Sequence, residues 1–202
     1  MEIRELYLFF KAYIKLMLLT GLAFGALGVA AFYFYPQTHV ATGSFFVSRA
    51  AQSGSPDYFT YEGFYSQQSA LSFTETVIGL MESVDIRKAA LATLGSSPTE
   101  ESLRRVAKIT RVKKAAPQLI TLQVKEKSPV AAGSTWLALS SATLAAVDKI
   151  KASGDLALQV SLLQETPVIA KTYRNVFVNF FGGFGAGTLL FALGVSIRKA
   201  LS

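Results

Sequence analysis

Residues 118–150 read QLITLQVKEKSPVAAGSTWLALSSATLAAVDKI, and this stretch decides the fold. Ile120, Leu122 and Val124 alternate with Thr121, Gln123 and Lys125, the period-two pattern of a strand with one buried face. Ser128 and Pro129 then stop the strand and open a helix, with serine as N-cap and proline at the first helical position. On a 3.6-residue wheel Trp136, Leu139, Leu144, Val147 and Ile150 fall on one half, and Ser134, Ser141, Asp148 and Lys149 on the other. A strand therefore feeds a helix that packs back on its sheet.

Outward from this unit, two apolar runs frame the chain. Residues 17–35, MLLTGLAFGALGVAAFYFY, hold 19 positions without a charge, and at 1.5 Å per residue they span roughly 28 Å, the thickness of a bilayer's hydrocarbon core. Phe32, Tyr33, Phe34 and Tyr35 form an aromatic belt, and Pro36 ends the helix. A cleaved signal peptide would have a shorter apolar core and a small-residue cleavage site. Residues 1–15, with Arg4, Lys11 and Lys15 on one face and Ile3, Leu6, Phe10 and Ile14 on another, predict an amphipathic helix in the headgroup layer before the chain turns into the bilayer. Residues 176–197, VFVNFFGGFGAGTLLFALGVSI, make the second span, closed by Arg198 and Lys199. The basic residues at both tails place them in the cytoplasm, against the weaker opposing signal of Lys171 and Arg174. The expected division is a cytoplasmic amphipathic segment over 1–15, a first span over 16–36, an extracytoplasmic domain over 37–174, a second span over 175–197 and a short cytoplasmic tail over 198–202.

Within the domain, residues 39–49 read as a first strand, with Ala41, Phe45 and Val47 on one face and Val40 and Phe46 breaking the alternation. A loop over 54–61 holds Pro56, a helix is expected over 62–83, and a second over 85–94 ends at Gly95. Ser97-Pro98-Thr99-Glu100 is a capping box, with proline at the first helical position, that opens a helix to about Lys108. Residues 109–115 and 119–126 form a hairpin around Ala116-Pro117, and Leu156, Leu158, Val160 and Leu162 mark a last strand over 155–163. The fold class expected from this order is α+β, the split β-α-β pattern of ferredoxin-like domains, with first and last strands antiparallel neighbours.

Composition narrows the chemistry. The chain has 202 residues, no cysteine, one histidine and a net charge of +7. A Ser-His-Asp triad beyond His39 and a two-histidine metal site within one chain are both disfavoured. Glu75, Glu82, Asp85, Glu100 and Glu101 read as exposed helix positions or caps, not an acid/base pair. Residues 182–187, GGFGAG, lie inside a span and lack the lysine of a phosphate loop. No catalytic residue, cofactor or metal site is expected. Gly21-x-x-x-Gly25 and Gly183-x-x-x-Gly187 are instead small-residue motifs that let helix backbones approach, within one subunit or between subunits. Arg104, Arg105, Lys108, Arg111, Lys113 and Lys114 place six cations in eleven residues. They read either as a solvated helix face and hairpin edge or as a contact for an anionic glycan, a lipid-linked pyrophosphate or lipid headgroups. Nucleic acid is not expected on an external domain. Tyr58, Phe59, Tyr61, Phe64 and Tyr65 read as packing for the following helix, or as headgroup or sugar contacts.

The order of these features resembles the Wzz-type chain-length determinants, the membrane polysaccharide co-polymerases and their relatives that activate bacterial tyrosine kinases. The resemblance is carried by the opening MEIRE, both spans, residues 65–95 (YSQQSALSFTETVIGLMESVDIRKAALATLG) and the turn V-K-E-K-S-P at 124–129 before the Ala-rich helix. Pro167 stands where that family has a proline-rich segment before the second span, and V-I-A-K-T-Y-R replaces the family's further prolines. The resemblance implies a membrane-proximal α/β base domain and a homo-oligomeric ring in the bacterial inner membrane. It further implies no enzymatic step and a scaffold that regulates the length or export of a cell-surface polysaccharide such as O-antigen, capsule or exopolysaccharide. Its partners would be membrane lipid and a polysaccharide polymerase or lipid-linked glycan. The alternatives are an adaptor for a tyrosine kinase, disfavoured because only residues 198–202 follow the second span, and a two-span sensor.

Overall fold

The computed structural model describes residues 3–50, 61–154 and 156–201. Helices α1 (Ile3–Phe34) and α6 (Val176–Leu201) form one compact unit. Residues Gln37–Thr172 form the other, with elements β1 (His39–Arg49), α2 (Tyr61–Glu82), α3 (Val84–Thr93), α4 (Glu100–Ile109), β2 (Thr110–Ala116), β3 (Leu119–Glu126), α5 (Pro129–Ser153), β4 (Leu158–Leu162) and β5 (Val168–Lys171).

The α/β unit has an antiparallel sheet in the order β2-β3-β1-β4, with β5 also paired to β1. Strand β3 takes one edge of β1 from His39 to Phe46, so β4 and β5 share the other edge end to end. Their registers on β1 differ by three residues, because Leu163–Pro167 faces only Gly43 and Ser44. Pro167 closes this bulge, a position where a missing amide hydrogen costs no ladder bond. Strand β5 is absent from the sequence expectation. Four residues, VIAK, after a proline are too few to show alternation.

One face of the sheet carries the core. Ala41, Phe45, Val47, Ile120, Leu122 and Val124 are buried there against α2 and α5. Trp136 is fully buried from α5, its Nε1 donating to the Leu122 carbonyl at 3.0 Å. Its ring lies so close over Gly43 that a side chain at 43 would overlap Cζ2. Leu139 and Val147 are buried beside it, whereas Ser134, Ser141, Asp148 and Lys149 are exposed, the division expected from the wheel. Thr135, Ser140 and Thr143 are buried as well, and the Ser140 and Thr143 hydroxyls donate 2.8 Å bonds to carbonyls one turn back. Buried hydroxyls on a helix satisfy themselves in this way, so they sit in the core without a partner strand.

Several boundaries differ from the sequence reading. Helix α1 runs unbroken, without the expected turn between a surface segment and a span. Nothing between Ile3 and Thr20 is a proline or glycine that would stop it. At 32 residues it is roughly 48 Å long, more than a hydrocarbon core requires. The N-cap of α4 is Thr99, whose hydroxyl accepts from Ser102 N at 3.3 Å, so Pro98 precedes the cap instead of opening the helix. Residues 173–174 belong with the helices and not with the α/β unit. The loop expected over 54–61, with Tyr58 and Phe59, lies outside the described residues apart from Tyr61, as do the side chains at 3–10.

Among the described residues three helices are long and apolar enough to cross a membrane: Lys11–Phe34, Pro129–Ala152 and Val176–Arg198. They differ in what covers them. The chain itself buries 56% of the apolar window in the second, against 11% and 6% in the first and third.

Candidate functional site

All four glycines singled out in the sequence line the contact between α1 and α6 within one chain. A Cβ at Gly21 would lie 2.8 Å from the Phe184 ring and Thr188 Cγ2, and one at Gly25 2.7 Å from the Phe180 ring. A Cβ at Gly187 would lie 2.7 Å from Phe24 Cβ, and one at Gly183 would collide with the Phe24 carbonyl oxygen. Gly28, one turn beyond Gly25, belongs to the same seam: its missing Cβ leaves room for the Asn179 carbonyl oxygen. The spacing Gly21, Gly25, Gly28 keeps to one helix face and is the signal that finds it. Gly182, Gly185 and Gly194 have nothing within 4 Å of a Cβ, so the glycine-rich run presents two different faces.

Both helices are finished by side chains that the sequence reading assigns only a charge or passes over. Arg174 donates from Nη1 to the Tyr35 carbonyl at 2.7 Å and from Nη2 to the Phe32 carbonyl at 3.1 Å. Its guanidinium also lies 4.8 Å from the centre of the Phe32 ring. It thereby satisfies carbonyls left open at the C-terminus of α1, where a cation is favoured by the helix dipole. Asn175 Oδ1 accepts from Phe177 N at 2.9 Å and caps the start of α6.

The six cations of residues 104–114 do not form one patch. Arg104 pairs with Glu100 at 2.6 Å on the exposed surface of α4. Arg105 reaches Glu126 at 2.8 Å, whose side chain is only 10% exposed. Lys114 pairs with Glu75 of α2. Of the remaining three, Lys108 is exposed on α4, while Arg111 and Lys113 are exposed on β2 opposite Gln123 and Thr121. Alternation along β2 sends Arg111 and Lys113 to the sheet face away from Val112, which packs on the core. The passage from α4 into β2 therefore divides what the sequence runs together. The surface of α4 is mixed in sign: Glu100 and Glu101 share a groove with Arg104, Arg105 and Lys108.

Pro167 sits in the bulge between β4 and β5. Phe64 and Tyr65 are exposed at the start of α2, and the Arg49 guanidinium lies 5.3 Å from the centre of the Tyr65 ring. Among the described residues no group of three or more His, Asp or Glu side chains is placed to hold a metal ion. No protein-family model matches this chain, and no curated protein matches it.

Proposed function

We propose that this protein is a two-pass membrane scaffold that regulates the chain length or export of a cell-surface polysaccharide, without itself making or breaking a bond. In this reading α1 and α6 cross the inner membrane with both tails cytoplasmic, and residues 37–172 form a ferredoxin-like domain outside it. The observation that carries the reading is the insertion of a whole α/β unit between two apolar helices that pack on each other through glycine. The strand order β2-β3-β1-β4 supports the split β-α-β assignment. The burial of α5 by its own sheet supports two spans over three, since a helix committed to a core has no apolar face to offer lipid. The polysaccharide assignment rests on the order of elements that resembles the Wzz-type chain-length determinants. A ring of copies would present the outer domains to a polymerase or its lipid-linked glycan and bias when elongation stops.

The test is the length distribution of surface glycan, resolved on a gel, from native cells with and without this protein. A tight modal cluster that collapses to a random ladder on deletion is the expected result. Loss of total polymer together with kinase phosphorylation would favour the adaptor role instead. An unchanged ladder with unchanged phosphorylation would overturn the polysaccharide assignment and leave a two-span sensor.

A further inference from the structure

The end of the sheet nearest in sequence to both apolar helices carries a recess of about 550 Å³ lined by Thr38, Arg105, Ile109, Lys125, Glu126 and Lys127. Three cations and one carboxylate line it. The carboxylate, Glu126, is the partner of Arg105. Lys125 and Lys127 are exposed, and neither has an acidic partner among the described residues. Two positive charges are therefore left uncompensated in a concave site that also offers the Thr38 hydroxyl.

The position of the recess narrows its ligand. Thr38 follows Phe34, the last residue of α1, by four positions. Four extended residues reach at most roughly 14 Å, so Thr38 lies within that length of chain from the end of α1. The local geometry is fixed from both sides. His39 pairs with Glu126 in the β1–β3 register, and His39 Nδ1 lies 3.3 Å from the Lys127 carbonyl oxygen. The opposite edge is closed by Thr172, whose N donates to the Thr38 carbonyl at 2.9 Å and whose hydroxyl lies 2.9 Å from that of Thr38. The lysines thus sit on a fixed strand end and not on a free loop.

We infer that this recess binds the phosphate headgroup of an anionic phospholipid in the leaflet where α1 ends. The inference rests on reading α1 as a membrane span but not on the polysaccharide assignment. Lysines at a charged surface each add about 1 kcal/mol of attraction, or roughly five-fold in affinity. A neutral zwitterionic headgroup gains little of this.

The experiment is native mass spectrometry of the full chain in non-ionic detergent, titrated with phosphatidylglycerol or phosphatidylcholine. The comparison is between the wild type, the double variant Lys125→Ala/Lys127→Ala and the double variant Lys125→Arg/Lys127→Arg. The expected result is preferential retention of phosphatidylglycerol, reduced roughly 25-fold at one site by the alanine pair and kept by the arginine pair. Lipid held by cations elsewhere is common to all three proteins and cancels. Equal retention of the two lipids, or a preference untouched by the alanine pair, overturns the inference. Inorganic pyrophosphate is a further arm: displacement of the bound lipid at micromolar concentration would show a site built for a soluble or lipid-linked pyrophosphate and would overturn the bulk-phospholipid assignment. Cysteine labelling at Leu156 in intact cells tests the span reading separately, so the two failures are distinguishable.

Discussion

Where α1 meets α6 the nearest approaches are backbone to backbone, with Gly183 against the Phe24 carbonyl and Gly28 against that of Asn179. Where α5 meets the sheet, the nearest approach is a ring on a backbone, Trp136 over Gly43. Each contact uses glycine, but to opposite ends. In the helix pair glycine removes side chains from both partners. In the sheet it makes room for the largest side chain in the chain. The difference follows from the surroundings each unit is suited to. Lipid is as apolar as leucine, so two spans gain little by hiding apolar side chains and gain instead from close van der Waals fit. In water the gain scales with apolar area removed from solvent, so a large side chain is the efficient choice. The exposed leucines of α1 and α6 agree with this: Leu19, Leu27, Leu189 and Leu193 face away from the seam at about 60% exposure, while Trp136 and Leu122 are almost fully buried.

The comparison breaks most readily at the buried indole. Trp136→Ala removes that fully buried ring and its hydrogen bond to the Leu122 carbonyl. It should destabilise the α/β unit by about 3–5 kcal/mol, read as a drop in the thermolysin resistance of the purified full chain. The helix pair should survive it: Tyr13 and Phe191, whose rings lie 6.4 Å apart, should still crosslink as Tyr13→Cys/Phe191→Cys with a short bifunctional reagent. Simultaneous loss of crosslinking would mean that the two units do not fold independently. Next is Gly183→Leu, expected to cost about 1–3 kcal/mol through overpacking against the Phe24 backbone and to suppress the same crosslink. Gly185→Leu is the control, because nothing lies within 4 Å of it; equal losses from both would discount the seam. Arg174→Ala should cost about 1.5–3 kcal/mol if both charged hydrogen bonds are realised and less if water replaces them. Partial recovery by Arg174→Lys would separate the charge from the fork, with thermal melting in detergent as the measurement. Smallest is Arg104→Ala. Its i,i+4 pair with Glu100 is exposed on both sides, at 74% and 79%, so a melting shift worth more than about 0.5 kcal/mol would be unexpected.

The sequence shows most where one residue's environment determines the pattern. The alternation at 120–125 and the Ser128-Pro129 boundary predict β3 and α5 because burial on one face repeats with the period of the element. The four small-residue glycines are visible for the same reason. What stays hidden depends on partners distant in the chain. Strand β5 exists because β1 offers it an edge, and VIAK alone says nothing of that. The six neighbouring cations look like one patch because closeness in sequence hides the change from α4 to β2, and because Glu75 and Glu126 are far along the chain from Lys114 and Arg105. In sequence Lys125 and Lys127 are only the polar side and the end of a strand. That the acid beside them pairs with Arg105 and with neither lysine is a property of the folded sheet end. Arg174 is, in sequence, a charge that opposes the topology, while its two bonds to Phe32 and Tyr35 give it a local structural task.

The Thr38–Thr172 pairing has a mechanical consequence. Both links from the α/β unit to α1 and α6 leave from the same end of one antiparallel pair, so a force drawing the helices apart would load the hydrogen bonds one after another and not all together. Four residue pairs, His39 to Thr42 against Val168 to Lys171, would peel first. The peel would then arrive at the bulge closed by Pro167, where the register breaks and the next pairs belong to β4. Strand β5 is in that sense a tear strip of fixed length, and pulling on the two termini of a single molecule should release it as a short first step before the sheet gives way.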